Sequence, residues 1–399
     1  MDGSIVITIC ALMLLAYVFE LTSSKTKIPS IILLLVLGWL VKQITVILHI
    51  NIPNLEVALP FLGNIGLILI VLEGSLELEL KKENYSIIAK SGLIALLQMI
   101  ALSFIIAFAI YYFDPEITYQ SALGNAIALG IISSSVAISS VKNLNSTNKE
   151  IITYESSMSD VLGVIFFNFV VLNNTIVAST FGHFFLDLLL ILLISFAATV
   201  ALAFLLSKIK HHIKFAPIII LLIMIYSISK AYHLPALVFV LLFGLLISNL
   251  DEMKHIKFVQ KLRPDILNIE VQKFKELNIE FTFLIRTLFF ILFGFLIKTS
   301  EVLNTDTILW AVGITGLIFL CRAIFLKVVG LPLNPLFFIA PRGLITILLF
   351  LSIPITQRSV IMNNSLIIQV ILLTVLVMMV GLMFNKKEKT TEVIDQNLE

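Results

Sequence analysis

The sequence predicts an all-α polytopic membrane protein with about 13 transmembrane helices. Three observations predict it. The 399 residues are 59% hydrophobic and 13% charged, with a mean hydropathy of +1.07, where a soluble domain carries about a quarter charged residues. The apolar residues gather into stretches of roughly 20, the length that crosses a hydrocarbon layer as a helix. Lysine and arginine, finally, fall unevenly between alternate loops, as in multi-pass membrane proteins.

The stretches lie at 4–21, 28–48, 58–78, 87–112, 121–142, 151–173, 183–208, 215–232, 235–249, 279–298, 306–330, 333–353 and 365–384. The first follows Met1-Asp2-Gly3-Ser4 with neither a basic leader nor a small-residue cleavage site, so it reads as a retained span. The eighth and ninth are short and separated only by His233-Leu234-Pro235. Segment 250–278 is polar and mixed in charge, divides nine spans from four, and is expected to hold a short surface helix. Residues 1–384 form a single membrane domain, and 385–399 a tail too short to fold alone.

With the N-terminus outside, 20 of the 27 basic residues fall in cytoplasmic loops, from Lys25 and Lys27 to Lys386, Lys387 and Lys389. The outside receives four, Lys42, Lys230, Lys298 and Arg358. A miscounted span would scramble that asymmetry, so it supports an odd number of spans and a cytoplasmic C-terminus in a plasma (inner) membrane.

Several classes of function are excluded. A net charge of +2 gives no footprint for nucleic acid. Cys10 and Cys321 lie in apolar segments and form no CxxC pair, and the six histidines show no metal-ligand spacing. No P-loop, GxGxxG or GxSxG motif appears, so no cofactor and no nucleotide-driven step is expected.

Chemistry concentrates in spans five, six, eleven and twelve. Asp160 lies ten residues past Glu150, roughly 15 Å along a helix and near the middle of a ~30 Å hydrocarbon layer. An acid at that depth is costly and marks an ion path or proton relay. Ser156 lies one turn earlier on the same face, with Ser159 adjacent. Arg322 and Arg342 are also within spans and cannot shed their charge, so each needs a partner. Glu155 is the best available, with Arg322 the first choice. Arg342 stands in the break Pro341-Arg342-Gly343, where it could instead balance a helix C-terminal dipole. Span five carries a matching loosened stretch, Ser133-Ser134-Ser135. Interrupted spans in corresponding positions, seven helices apart, suit two inverted-topology repeats with the site at their breaks. Glu73 could face that site or snorkel with Glu77 and Glu79, and Arg286 could pair with Glu280 or face a cavity.

These segments resemble the monovalent cation/proton antiporter superfamily, specifically its bacterial Na+/H+ exchanger (antiporter-1) branch. Glu155-Ser156-Ser157-Met158-Ser159-Asp160 resembles the signature Glu-Ser-Leu-Leu-Asn-Asp, and Leu72-Glu73-Gly74-Ser75-Leu76 resembles Phe-Glu-Gly-Ala-Leu. Cys321-Arg322-Ala323 is similar to the segment of the buried helix-eleven arginine, and Arg342-Gly343 to a Gly-Leu-Arg-Gly break. The sequence departs at Ser133-Ser134-Ser135, closer to the Ser-Ser-Thr of the potassium-efflux branch than to Thr-Asp-Pro, and at Ser159, where the branch has asparagine.

The resemblance implies crossed broken helices, with Asp160 binding ion and proton and Glu155 paired to Arg322. It implies a core of spans 4–6 and 11–13 moving against a dimer-forming bundle of spans 1–3 and 8–10, hence a homodimer in membrane lipid. On that reading Asp160 exchanges H+ for a partly dehydrated Na+ or Li+ held also by Ser156, Ser159 and groups at Ser133 and Ser134. One acid implies one proton per cation. K+/H+ exchange or potassium efflux is the alternative carrier, and a cation channel or membrane sensor the alternative of another class. A membrane enzyme would need a nucleophile or metal set that is not visible.

Overall fold

In hydrocarbon an unpaired peptide group costs several kcal/mol, so a chain this apolar must pair its backbone inside helices. The computed structural model describes residues 3–26, 28–49, 55, 58–78, 84–141, 144–171, 173, 178–208, 215–232, 234, 236–250 and 264–384, and among them there is no β-strand. The elements are α1 (Gly3–Thr26), α2 (Ser30–Ile47), α3 (Ala58–Glu77), α4 (Tyr85–Phe113), α5 (Tyr119–Gly130), α6 (Ser134–Ser140) and α7 (Ser146–Val171). They continue with α8 (Ala178–Lys208), α9 (Phe215–Ala231), α10 (Ala236–Ser248), α11 (Pro264–Leu296) and α12 (Thr305–Val329). The last are a 3-10 turn at Leu336–Phe338, α13 (Leu344–Ser352) and α14 (Asn364–Phe384).

The apolar stretches in the sequence correspond to helix, except at the break in span five and in 333–353, which is helical only at Leu336–Phe338 and Leu344–Ser352. Among the described residues, eight helical segments are long and apolar enough to cross a membrane, and α1, α9 and α10 contribute shorter apolar ones. Several boundaries differ from the sequence reading, α7 starting at Ser146 rather than 151 and α8 at Ala178 rather than 183. The tenth span does not start at 279: its helix begins at Pro264, so residues 264–278 belong to α11, and the rest of the segment expected to hold a short surface helix, 251–263, falls outside the described residues. The polar residues there still fit a helix, because one face of α11 buries Val271, Phe274 and Asn278. Residues 251–263, the tail 385–399 and loop lysines such as Lys81, Lys82 and Lys142 lie outside the described residues. The break in span five falls at 131–133, just ahead of most of the serine run, with Ser134 and Ser135 inside α6.

Packing sorts the helices into two groups. In one, α4, α5, α6 and α7 pack together, α13 joins α5 and α7, and α12 packs on α4 and α14. In the other, α2 and α3 pack on α11, and α10 packs on α3, α8 and α9. The seam is made where α3 and α10 meet α7, with α6 and α13 also touching α3.

Small residues let backbones touch, which is how helices associate where hydrophobicity offers no gradient. Gly38 of α2 lies against the Ile291 carbonyl, and a Cβ there would stand 2.8 Å from the Phe295 nitrogen. Gly294 faces Leu35 in the same way, and Gly244 of α10 takes the Ser75 side chain of α3. Such contacts leave no room for a methyl group. Gly38→Ala should therefore lower thermal stability in detergent, by about 1–3 kcal/mol. Gly316→Ala, at a helical glycine with nothing within 4 Å of its would-be Cβ, should not lower the melting temperature.

Candidate functional site

Both interrupted spans stop being helical at the same place. After Gly130 the chain runs extended through Ile131, Ile132 and Ser133, and between Phe338 and Leu344 it is again non-helical. The freed peptide groups find partners across the break. Ser133 N–H donates to the Pro341 carbonyl at 2.9 Å, and Ile132 N–H donates to the Ser159 hydroxyl at 3.0 Å. Arg342 N–H donates to the Thr374 hydroxyl at 3.1 Å. Gly343 is needed here, because a Cβ would come within 2.6 Å of the Ser133 hydroxyl oxygen.

Asp160 sits beside this junction on α7, only 2% exposed. Its Oδ2 accepts a hydrogen bond from the Ser134 hydroxyl. Its Oδ1 is buried with no partner. The cavity beside it is lined by Ile70, Val71, Gly74 and Ser75 of α3, Ser134 of α6, Ser157 and Val161 of α7, and Leu241 of α10. It offers about 10 Å³ to the centre of a water-sized particle, room for about one. Asp160 is the one titratable group on its wall among the described residues. An anionic oxygen at this depth without a cation beside it calls for a proton or a bound cation.

The other candidate hydroxyls have partners of their own. Ser156 donates to the Ile152 carbonyl of its own helix at 2.7 Å, and Ser159 supports the break. Ser133 and Ser135 pair with each other at 3.1 Å.

Glu155 points away from Asp160. Its carboxylate accepts from Arg322 in a two-pronged pair, Nη1 to Oε1 at 2.6 Å and Nη2 to Oε2 at 3.1 Å. Both residues are fully buried. Arg322 also donates from Nε to the Leu336 carbonyl at 2.6 Å and from Nη1 to Gln98 Oε1 at 3.3 Å. Such planar, fully bonded pairing is the geometry arginine is suited to. Arg342 does not join it. Instead Nε donates to the Leu129 carbonyl at 2.6 Å and Nη1 to the Ala340 carbonyl at 3.0 Å. The guanidinium thus covers the C-terminal end of α5, where exposed carbonyls concentrate negative charge.

Glu73 lies on the far side of α3 from the cavity, beside Thr282 and within electrostatic reach of Arg286, Glu77 and Glu20. The Arg286 charge acts on Glu73, while Glu280 is exposed. Glu79 is outside the described residues.

The structure thus gathers Asp160, Ser134 and the two breaks, pairs Glu155 with Arg322, and sets Glu73 apart. Sequence reasoning missed Gln98, Gly74, Ser75 and Ser157. Ser157 was findable: three residues before Asp160 is as close on a helix as the four that singled out Ser156.

Residues 10–385 match the family described as sodium/hydrogen exchanger, transmembrane. No curated protein matches the chain in sequence. Two solved structures of the sodium proton antiporter MjNhaP1 from Methanocaldococcus jannaschii share the fold. One, at pH 8, has TM-score 0.67 and 18% identity and covers 94% of this chain and 97% of that one. The other, an electron-microscopy map, has TM-score 0.66 and 18% identity and covers 95% of each.

Removing one member of a buried pair strands the other's charge, at a cost of about 3–5 kcal/mol. Glu155→Ala should therefore sharply lower the melting temperature of the purified protein in detergent. The double replacement Glu155→Gln with Arg322→Met leaves no charge stranded, and should recover a large part of the loss.

Proposed function

Because the chain belongs to the sodium/hydrogen exchanger family, we propose that it is a secondary cation/proton antiporter in which H+ and a monovalent cation compete for Asp160. The observation that carries this reading is the unpartnered Oδ1 of a buried carboxylate at the edge of a water-sized cavity. Bare and charged, that group is costly at membrane depth; protonated or cation-bound, it is neutral. A carrier that moves only with the site neutralised couples the two flows without a nucleotide. With one acid on the cavity wall, the exchange is one proton per cation and moves no net charge.

Na+ and Li+ are the first candidates, held by Asp160 with groups at Ser134 and Ser133. The group of α4–α7 with α12–α14 is the part that moves, and the bundle built on α2, α3, α10 and α11 carries the contact between two copies. The N-terminus is outside and the C-terminus cytoplasmic. Ser133-Ser134-Ser135 at the first break supports K+/H+ exchange as a second reading.

Proteoliposomes loaded with a pH-sensitive dye test both. Addition of Na+, Li+ or K+ should collapse a preset pH gradient, and the ranking of the three identifies the substrate. Asp160→Asn, which keeps the shape but neither releases a proton nor offers a charge, should abolish the response; an undiminished response would refute the scheme. Clamping the membrane potential at zero should leave the rate of the natural protein unchanged. A rate that follows the imposed potential would instead mean more than one proton per cation.

A further inference from the structure

A small cation stripped of part of its water needs several oxygens, and Asp160 Oδ1 alone is one. The cavity wall carries three hydroxyls, those of Ser134, Ser75 and Ser157. Ser134 donates to Asp160, and Ser75 donates to the Leu72 carbonyl of its own helix at 2.9 Å. Ser157 is different. It is 4% exposed, and its hydroxyl has no hydrogen-bond partner. A buried, unpaired hydroxyl is unfavourable, and a transiently bound guest can offset that.

Two orphan oxygens, Asp160 Oδ1 and Ser157 Oγ, therefore border one cavity from positions three apart on α7. Residues at that spacing share a helix face. The opposite wall is cut back to make room: Gly74 of α3 stands over Ser157, and a Cβ there would lie 3.0 Å from Ser157 Oγ. Ser156 and Ser159, the other two hydroxyls close to Asp160 on α7, bind an adjacent turn and a broken backbone instead.

We infer that Ser157 is a direct ligand of the transported monovalent cation, and that Gly74 keeps the place for it. The assignment deepens the antiport reading and rests on Asp160 being the exchange site. A hydroxyl oxygen is an acceptor for a metal cation, whereas a proton needs only the carboxylate. Ser157 thus contributes to the cation side of the competition and not to the proton side.

The test uses the full chain in two assays, cation-dependent dequenching in proteoliposomes and cation-dependent thermal stabilisation in detergent. Ser157→Ala removes no hydrogen bond, so it should fold as well as the natural protein. It should raise the apparent KM for the cation about tenfold, the effect of losing one good polar contact. The maximal rate at saturating cation should stay close to that of the natural protein. The cation concentration giving half of the thermal stabilisation should rise in parallel. Gly74→Ala, which crowds the hydroxyl from the other side, should reproduce the rise. An unchanged KM in Ser157→Ala, or a fall in maximal rate with KM untouched, overturns the assignment while antiport stands. Absence of flux in the natural protein, together with stabilisation that depends on Ser157, overturns antiport and keeps the ligand.

Discussion

At membrane depth a backbone may leave its helix only where every freed peptide group finds another partner. That constraint organises this molecule. The two breaks satisfy each other, through Ser133 N–H on the Pro341 carbonyl and Arg342 Nε on the Leu129 carbonyl. Neither could exist alone in hydrocarbon. Because they must meet, α5, α6 and α13 are drawn to the centre of one helical group, and α7 is held beside them by the Ile132–Ser159 bond. The place of Asp160 follows from that arrangement. The residue that supports the broken backbone is its immediate neighbour in sequence.

The same demand for partners decides which charges remain available. Arg322 uses Glu155, Gln98 and the Leu336 carbonyl, which fixes α12 to α4, α7 and the chain leading to α13. This pair has no proton or cation left to exchange without exposing its partner's charge. Arg342 is spread over carbonyls rather than over a carboxylate. The carboxylate left with an open oxygen on the cavity is that of Asp160. On the proposed antiport reading, the site is marked less by what surrounds it than by what has been left unpaired, as strain and unmet bonds tend to gather where a protein works.

Much of this is legible in the sequence, for reasons that are themselves physical. Apolar stretches near the thickness of a bilayer have little choice but helix, so α2, α4, α12 and α14 are found almost to the residue. A lone aspartate inside one of them stands out for the same reason. What sequence does not carry is the direction a polar side chain takes when several partners are possible. Ser156, Ser157 and Ser159 are chemically the same, and only packing shows that one bonds its own helix, one a neighbouring chain segment and one nothing. Glu73 was left with two places for the opposite reason: its neighbour Gly74 lines the cavity, but adjacent residues on a helix point about 100° apart, and Glu73 lies beside Thr282 instead. The start of α11 was hidden because a polar amphipathic turn looks like a loop to a test that counts apolar residues.

The spacing of the two acids on α7 explains how one helix serves two ends. Five residues turn a helix through about 500°, so Glu155 and Asp160 point roughly 140° apart and lie about 7.5 Å apart along the axis. One therefore faces α4 and α12 while the other faces α6 and α3. Had they been four apart, both would share one face. The arginine that neutralises the first would then stand beside the second and fill its open oxygen. Separation by an angle, more than by distance, keeps the permanent pair away from the open oxygen of Asp160.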